Sequence, residues 1–329
     1  MLKISTNPHM QTKRTTSSIM LDVIIALMPA ALAAILFFGF DALRVILTSV
    51  AGCVLFEYLA CRYWLKIKNT TTDFSAIITG LLLAFNLPST MPCWMILIGA
   101  FFAIIVAKTC FGGLGKNIFN PALVGRVFLF ISFPMHMTTW PIPYFFKFIS
   151  PDGQTGATTL RMLKSIDTGA SGASETYSLS ELPDYVDMFF GNIGGCIGEI
   201  SAFALLIGFG YMLWRKVISW HIPVYYLATV LILTTILYYT TQDAKFLPLA
   251  HLLSGGLMLG AIFMATDYAT SPMTIKGQII FAVGCGVLTV IIRSFSAYPE
   301  GVSFAILIMN ALVPLIDKFA VQRYYGEKR

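Results

Sequence analysis

The residues Asp152-Gly-Gln-Thr155-Gly156-Ala157-Thr158 place an acid and two threonines around a tight run of small side chains. The next stretch, Thr159-Leu-Arg-Met-Leu-Lys-Ser165, can form a short helix. Thr158 is then a natural N-cap, its hydroxyl accepting from free amides of the first turn. A second chemistry is compatible with the first. Gly156 and Ala157 leave room for a transferase and a bulky group to approach the Thr158 hydroxyl. A phosphate ester there would sit at a helix N-terminus, where amides and the dipole favour an anion. Arg161 and Lys164 lie one turn on and could add positive charge. Spacing alone leaves both readings open.

A second set of chemistry-bearing residues lies in or at the ends of apolar runs: Asp22, Glu57, Glu199, Asp267 and Asp317. Ionisable groups at membrane depth are costly and invite a functional reading. Asp267, Asp317, Glu57 and Glu199 are candidates for an ion path. The competing reading puts Asp267 and Asp317 at water-reached helix ends, and no partner for Glu57 or Glu199 can be named. Asn117 and Asn120 either contact a cofactor or cap a broken helix. The six cysteines are scattered, with neither CxxC nor metal-finger spacing, and read as packing residues. No metal site and no catalytic residue is expected. There is no iron–sulfur pattern and no nucleotide-binding glycine fingerprint.

The elements that must position these residues are membrane elements. Of 329 residues, 57% are hydrophobic and 12% charged, half the charged share of an ordinary soluble domain. Mean hydropathy is +0.77. The formal charge of +6 is modest and gives no reason to expect nucleic acid. Apolar runs long enough, or nearly so, for a ~30 Å bilayer core recur near 19–40, 43–65, 74–88, 93–110, 118–134, 190–214, 221–241, 247–266, 277–296 and 302–320. The fold class is therefore an all-α polytopic membrane protein with about ten spans. The runs at 74–88 and 118–134 are short and carry Gly80, Asn86, Pro88, Asn120, Pro121 and Gly125, the marks of broken or re-entrant helices.

Charge bias orients the runs. With the N-terminus cytoplasmic and each run crossing once, 15 of the 22 basic residues face the cytoplasm, among them Arg62, Lys66, Lys68, Arg215 and Lys216. The short outer loops hold Arg44, Lys245 and Arg293. The expected organisation is a cytoplasmic N-terminus (1–18), a first transmembrane half (19–134), an extracytoplasmic loop (135–189), a second half (190–320) and a cytoplasmic tail (321–329). Gly80–Pro92 has a faint echo in Gly260–Pro272, and Asn120-Pro-Ala-Leu in Asn310-Ala-Leu. Five spans per half is an odd number, so the second half would be inverted, as in folds that build a site at the midplane.

Resemblance adds what spacing cannot. Asp-x-x-(Ser/Thr)-Gly-Ala-Thr resembles the flavinylation motif whose last threonine is esterified by an FMN transferase. Composition alone would produce a match in on the order of one in a thousand unrelated chains. Phe111–Phe130, Met264–Pro272 and Tyr298–Asp317 resemble the same family: the D-type component of the Rnf electron-transport complex and its relative, the B-type component of the sodium-translocating NADH:quinone reductase. The short stretch before the first span looks more like the Rnf protein. The resemblance implies a subunit of a ferredoxin:NAD oxidoreductase coupled to Na+ or H+ transport, in a bacterial inner membrane. It implies FMN bound covalently to Thr158 as a phosphothreonine ester, with Asp152, Thr155, Gly156, Ala157 and Arg161 around it. It also suggests a non-covalent riboflavin in the membrane part, near Asn117 and Asn120. The other Rnf components (RnfA, RnfB, RnfC, RnfE and RnfG) and an FMN transferase are the implied partners. The alternative from another class is a solute transporter or channel without flavin, for which the threonine motif would be an ordinary cap.

Overall fold

The computed structural model describes residues 15–65, 70–143, 155–166, 182–296 and 300–320. They are almost entirely helical. Helix α1 (Thr16–Leu59) starts on a Thr15 cap that accepts from the Ser18 amide at 3.3 Å. Unbroken, its 44 residues would run roughly 66 Å, about twice a bilayer core. Gly39 breaks it at φ 62° and ψ −136°, a conformation open to glycine alone. The two arms match the two runs expected at 19–40 and 43–65. Wider π-type turns, Ala60–Leu65, finish the second arm.

Helix α2 (Ser75–Phe85) is buried along most of its length and lies against the second arm of α1. Contact is close because Gly80 has no side chain: a Cβ there would stand 2.7 Å from Val50 Cα, and Ser49 donates to the Gly80 carbonyl at 2.7 Å. Small residues at such crossings let helix backbones approach in a membrane. Helix α3 (Cys93–Phe101) continues as π-type turns over Phe102–Thr109, and α4 (Pro121–Ser132) begins on an Asn120 cap with proline in its first turn. The short α5 (Pro134–Met137) precedes β1 (Trp140–Pro141), which pairs antiparallel with β2 (Thr155–Gly156). Then come α6 (Thr159–Ile166), α7 (Tyr185–Phe190), α8 (Ala202–Trp214) and α9 (His221–Thr241). The last helices are α10 (Pro248–Leu253), α11 (Leu257–Leu259), α12 (Ile275–Phe295) and α13 (Val302–Phe319). Asp22 of α1 and Arg215 at the end of α8 close to 3.1 Å and tie those helices at one end.

Four helical stretches are long and apolar enough to cross a membrane: Thr16–Leu65, His221–Thr241, Ile275–Phe295 and Val302–Phe319. Their outer faces expose Leu32, Phe40, Leu47, Ile232, Ile236, Phe295 and Phe319, which lipid can cover at no cost. Shorter apolar helices accompany them: Ser75–Phe85, Cys93–Thr109, Pro121–Ser132 and Ala202–Trp214. The chain is a polytopic membrane protein.

The runs at 74–88 and 118–134 hold the short helices α2 and α4, which stop at Phe85 and begin only at Pro121. Two further breaks fall where simple spans were expected. Residues 191–201 are irregular, and residues 254–256 separate α10 from α11. Backbone groups freed at these breaks find partners inside the protein, as a dry environment requires. The Ile197 amide donates to the Leu87 carbonyl at 3.1 Å and Gly198 to Phe85 at 2.9 Å, so one break pairs with another. Gly255 and Gly256, at φ 75° and 64°, end α10. The buried Arg293 guanidinium collects the freed carbonyls of His251, Ser254 and Gly255 at 2.6, 3.0 and 3.1 Å.

Candidate functional site

Thr158 caps α6. Its Oγ1 accepts from the Arg161 amide at 3.3 Å, and its carbonyl accepts from the Met162 amide at 2.9 Å. The β1–β2 pair sets the approach, with Trp140 opposite Gly156 and Pro141 opposite Thr155. A Cβ on Gly156 would stand 3.3 Å from Ile142 Cγ1, so the Ile142 side chain would have to give way slightly. Leu160 and Leu163 anchor α6 in a small apolar cluster with Met188, Ile193 and Ala250. Lys164 donates to the Ser296 carbonyl. Burial, and then the neighbouring Lys245, hold the Lys164 ammonium below its usual range. Arg161 points to solvent. Thr158 itself is only 6% exposed, so the room expected around its hydroxyl is absent in this arrangement. Asp152 lies outside the described residues.

A second polar centre surrounds a cavity of about 90 Å³, below the roughly 300–1,000 Å³ typical of small-molecule sites. Asn117, Asn120, Lys108, Asp267 and Tyr268 supply its polar wall; Val23, Ile78, Leu82 and Phe263 are among its apolar lining. Asn120 does more than cap α4 through Ala122 at 3.1 Å: its Nδ2 donates to the Met264 carbonyl at 3.1 Å. Asn117 Nδ2 reaches the Phe119 carbonyl at 3.1 Å. Both asparagines thus bond locally and also line a cavity. With its amide oriented to satisfy its neighbours, Asn310 accepts from the Asn120 amide and donates to the Thr270 carbonyl, both at 3.2 Å. The two echoes noticed in sequence, Asn120 and Asn310, meet in space.

The membrane carboxylates separate into distinct settings. Glu57 has a partner that sequence did not name: Lys108 Nζ lies 2.7 Å from its Oε2, both side chains 4% exposed. Thr70 donates to Glu57 Oε1 at 2.8 Å, and Lys108 also donates to Ser75 at 2.8 Å. Asp267 is on the cavity wall, which it shares with Lys108. Asp317 is half-buried near the end of α13, one oxygen without a hydrogen-bond partner. Glu199 is elsewhere, in the irregular segment beside Cys196, Arg126 and Glu300. Four important residues were thus missed: Lys108, Arg126, Cys196 and Glu300. The available signal was Arg126, a charge inside an apolar run that must have a distant partner. Cys196 departs from the packing role read for the cysteines, because its Sγ donates to the Asn86 carbonyl at 3.4 Å inside this polar cluster.

Short broken helices, a buried ion pair and a polar-walled cavity define a polytopic membrane protein built around internal polar sites. Comparison with known proteins gives its family: residues 3–326 match the model of the NQR2, RnfD, RnfE family, and the chain belongs to it. Its relatives include the D components of ion-translocating oxidoreductase complexes. That of the Na(+)-translocating ferredoxin:NAD(+) oxidoreductase complex of Acetobacterium woodii is 47% identical over 328 residues, covering 99% of this chain and 95% of the relative. That of the proton-translocating ferredoxin:NAD(+) oxidoreductase complex of Clostridium ljungdahlii is 45% identical, covering 99% and 96%. That of the ion-translocating oxidoreductase complex of Salmonella arizonae is 38% identical, covering 99% of each.

Proposed function

We propose that this chain is the RnfD-type component of an ion-translocating ferredoxin:NAD oxidoreductase complex, and that FMN esterified to Thr158 relays its electrons. The observation that carries the reading is Thr158 at the head of α6, its hydroxyl accepting from the first-turn amide of Arg161, where a phosphate would be favoured. A channel has no need of this motif, and an ordinary cap does not account for the small residues before it. The FMN supplies redox chemistry; the chain supplies the ester oxygen, Gly156 and Ala157 beside it, and an α6 anchored by Leu160 and Leu163. Asp152, Thr155 and Arg161 complete the motif in this reading. The burial of Thr158 means that the transferase acts before α6 seats, or on an opened loop.

Riboflavin is the ligand proposed for the cavity of Asn117, Asn120, Lys108 and Asp267, whose side chains offer donors and acceptors to the edge of a planar ring; at about 90 Å³ the cavity has to widen to admit it. Ten spans in two inverted halves, both termini cytoplasmic and the Thr158 loop outside, is the topology that charge bias supports. Glu57, Glu199, Asp267 and Asp317 are the proposed ion-path carboxylates. Relatives of nearly equal identity carry sodium-translocating and proton-translocating names, so identity does not choose the ion. The other Rnf components, RnfA, RnfB, RnfC, RnfE and RnfG, would handle ferredoxin and NAD. A direct test is flavin fluorescence of the denatured protein on a gel after co-expression with a competent FMN transferase. The parent band should glow and Thr158→Ala should be dark yet remain in the membrane. A dark parent band removes the main support for the redox reading.

A further inference from the structure

Cys196, Glu199 and Glu300 each place one ligand atom within 4.8 Å of the others, all buried. The two carboxylates come from parts of the chain about a hundred residues apart. Glu199 belongs to the irregular segment before α8, and Glu300 precedes α13. Arg126 of α4 stands beside them. Its Nη1 donates to Asn86 Oδ1 at 2.6 Å, and its Nη2 donates to Glu300 Oε2 and reaches Cys196 Sγ at 3.7 Å. Glu300 Oε1 is buried with no hydrogen-bond partner among the described residues, in a side chain 7% exposed. Glu199 accepts from the Cys196 amide at 3.4 Å, and the Cys196 thiol also interacts with it. Two glycines adjoin this carboxylate: a Cβ added to Gly195 or Gly256 would touch it at 3.7 or 3.9 Å, so the missing side chains leave room for no more than a small group.

These facts do not describe a finished ion pair. Two carboxylates this close and this dry repel each other, and Arg126 binds only one of them. The next cation, Arg293 on α12, is near enough for its charge to act on both carboxylates, but its three donated bonds go to the carbonyls of His251, Ser254 and Gly255. The centre thus sets two carboxylates against two guanidiniums, with carboxylate oxygens that neither guanidinium binds among the described residues. A monovalent cation on those oxygens adds one positive charge; a divalent ion would add two beside two guanidiniums. The centre also has neighbours on both sides. Gly194 comes near the Ala157 carbonyl under the Thr158 loop, and Asn86 Nδ2 reaches Met264 Sδ at 3.7 Å. The Met264 carbonyl in turn holds Asn120 of the cavity wall.

We propose that Glu199 and Glu300 form an exchangeable site for one monovalent cation, a proton or a sodium ion, held beside Arg126 between the Thr158 loop and the Asn120 cavity. It deepens the ion-path reading of Glu199, on which it rests, by giving that residue its second ligand, Glu300, and its counter-charge, Arg126. It does not depend on flavin at either place.

The test is infrared spectroscopy of the intact complex, titrated with pH in potassium chloride and again in sodium chloride. In potassium chloride the parent should show one buried carboxylic-acid band that alkali removes and that Glu199→Gln and Glu300→Gln each abolish. Loss of that band on adding sodium identifies a site shared by sodium and protons; its persistence identifies a proton site. In the first case either Gln variant should weaken sodium displacement by on the order of a hundredfold, the effect of one carboxylate charge at this range. Cys196→Ser keeps every charge and so keeps the assembly: the band should persist at a shifted frequency. Absence of the band in the parent, or a band that Cys196→Ser and both Gln variants leave unmoved, overturns the site. A complex that pumps ions without the band overturns this site and leaves the translocation reading standing. A complex with the band that pumps nothing does the reverse.

Discussion

Removing Lys108 from its pair with Glu57 tests the internal charge design most sharply. The Lys108→Met substitution keeps most of the length of the side chain and deletes its ammonium. Glu57 is then left 4% exposed with Thr70 as its remaining donor, where before it also had a cation at 2.7 Å. Breaking one side of a buried pair costs about 3–5 kcal/mol, because an uncompensated charge stays behind. For a chain of this size that corresponds to a fall of roughly 4–7 °C in midpoint temperature. The Glu57→Gln change alone strands Lys108 and should cost a similar amount. The double variant Lys108→Met/Glu57→Gln removes both charges and should recover most of the loss, since replacing a whole buried pair is often close to neutral. The assay is thermal unfolding in detergent, arranged as a double-mutant cycle. Single variants within about 1 kcal/mol of the parent, or a double variant as damaged as the two losses added together, would refute the reasoning.

Three other outcomes follow from the same packing. Leu163→Ala empties a fully buried place under α6 and should cost about 2–5 kcal/mol of local seating, so the transferase should modify Thr158 faster in the variant; slower attachment in a time course would contradict the buried-hydroxyl account. Gly80→Val sets a side chain 2.7 Å from the Val50 backbone and should abolish accumulation of the folded protein in the membrane, read by detergent-soluble yield. Lys164, whose folded-state value lies below its ordinary one, binds fewer protons folded than unfolded. The seating of α6 should therefore strengthen as pH rises through the window between that lowered value and the ordinary lysine value near 10.5. Proteolysis at Arg161 should slow across that window in the parent, and Lys164→Met should flatten the dependence.

The membrane character and the helix positions were legible because apolar run length and charge bias are local properties of the chain. Thr158 as a cap was legible for the same reason: the small residues before it and the helix former after it are adjacent. What escaped was long-range. Nothing near Arg126 announces Glu300, which is 174 positions away, and nothing near Glu57 announces Lys108, 51 positions on. The breaks at 191–201 and 254–256 had a signal in Gly191, Gly194, Gly195 and Gly198 and in Ser254-Gly-Gly. Glycine is common in membrane helices, however, and only the surrounding carbonyl partners decide whether a helix stops there.

The redox reading depends on one ester bond. Trypsin should release residues 148–161, which hold Thr155, Thr158 and Thr159. After co-expression with an FMN transferase, mass spectrometry of that peptide should show the added mass of FMN less one water, with fragment ions placing it on Thr158. An unmodified peptide, or FMN placed on Thr155 or Thr159, would contradict the account.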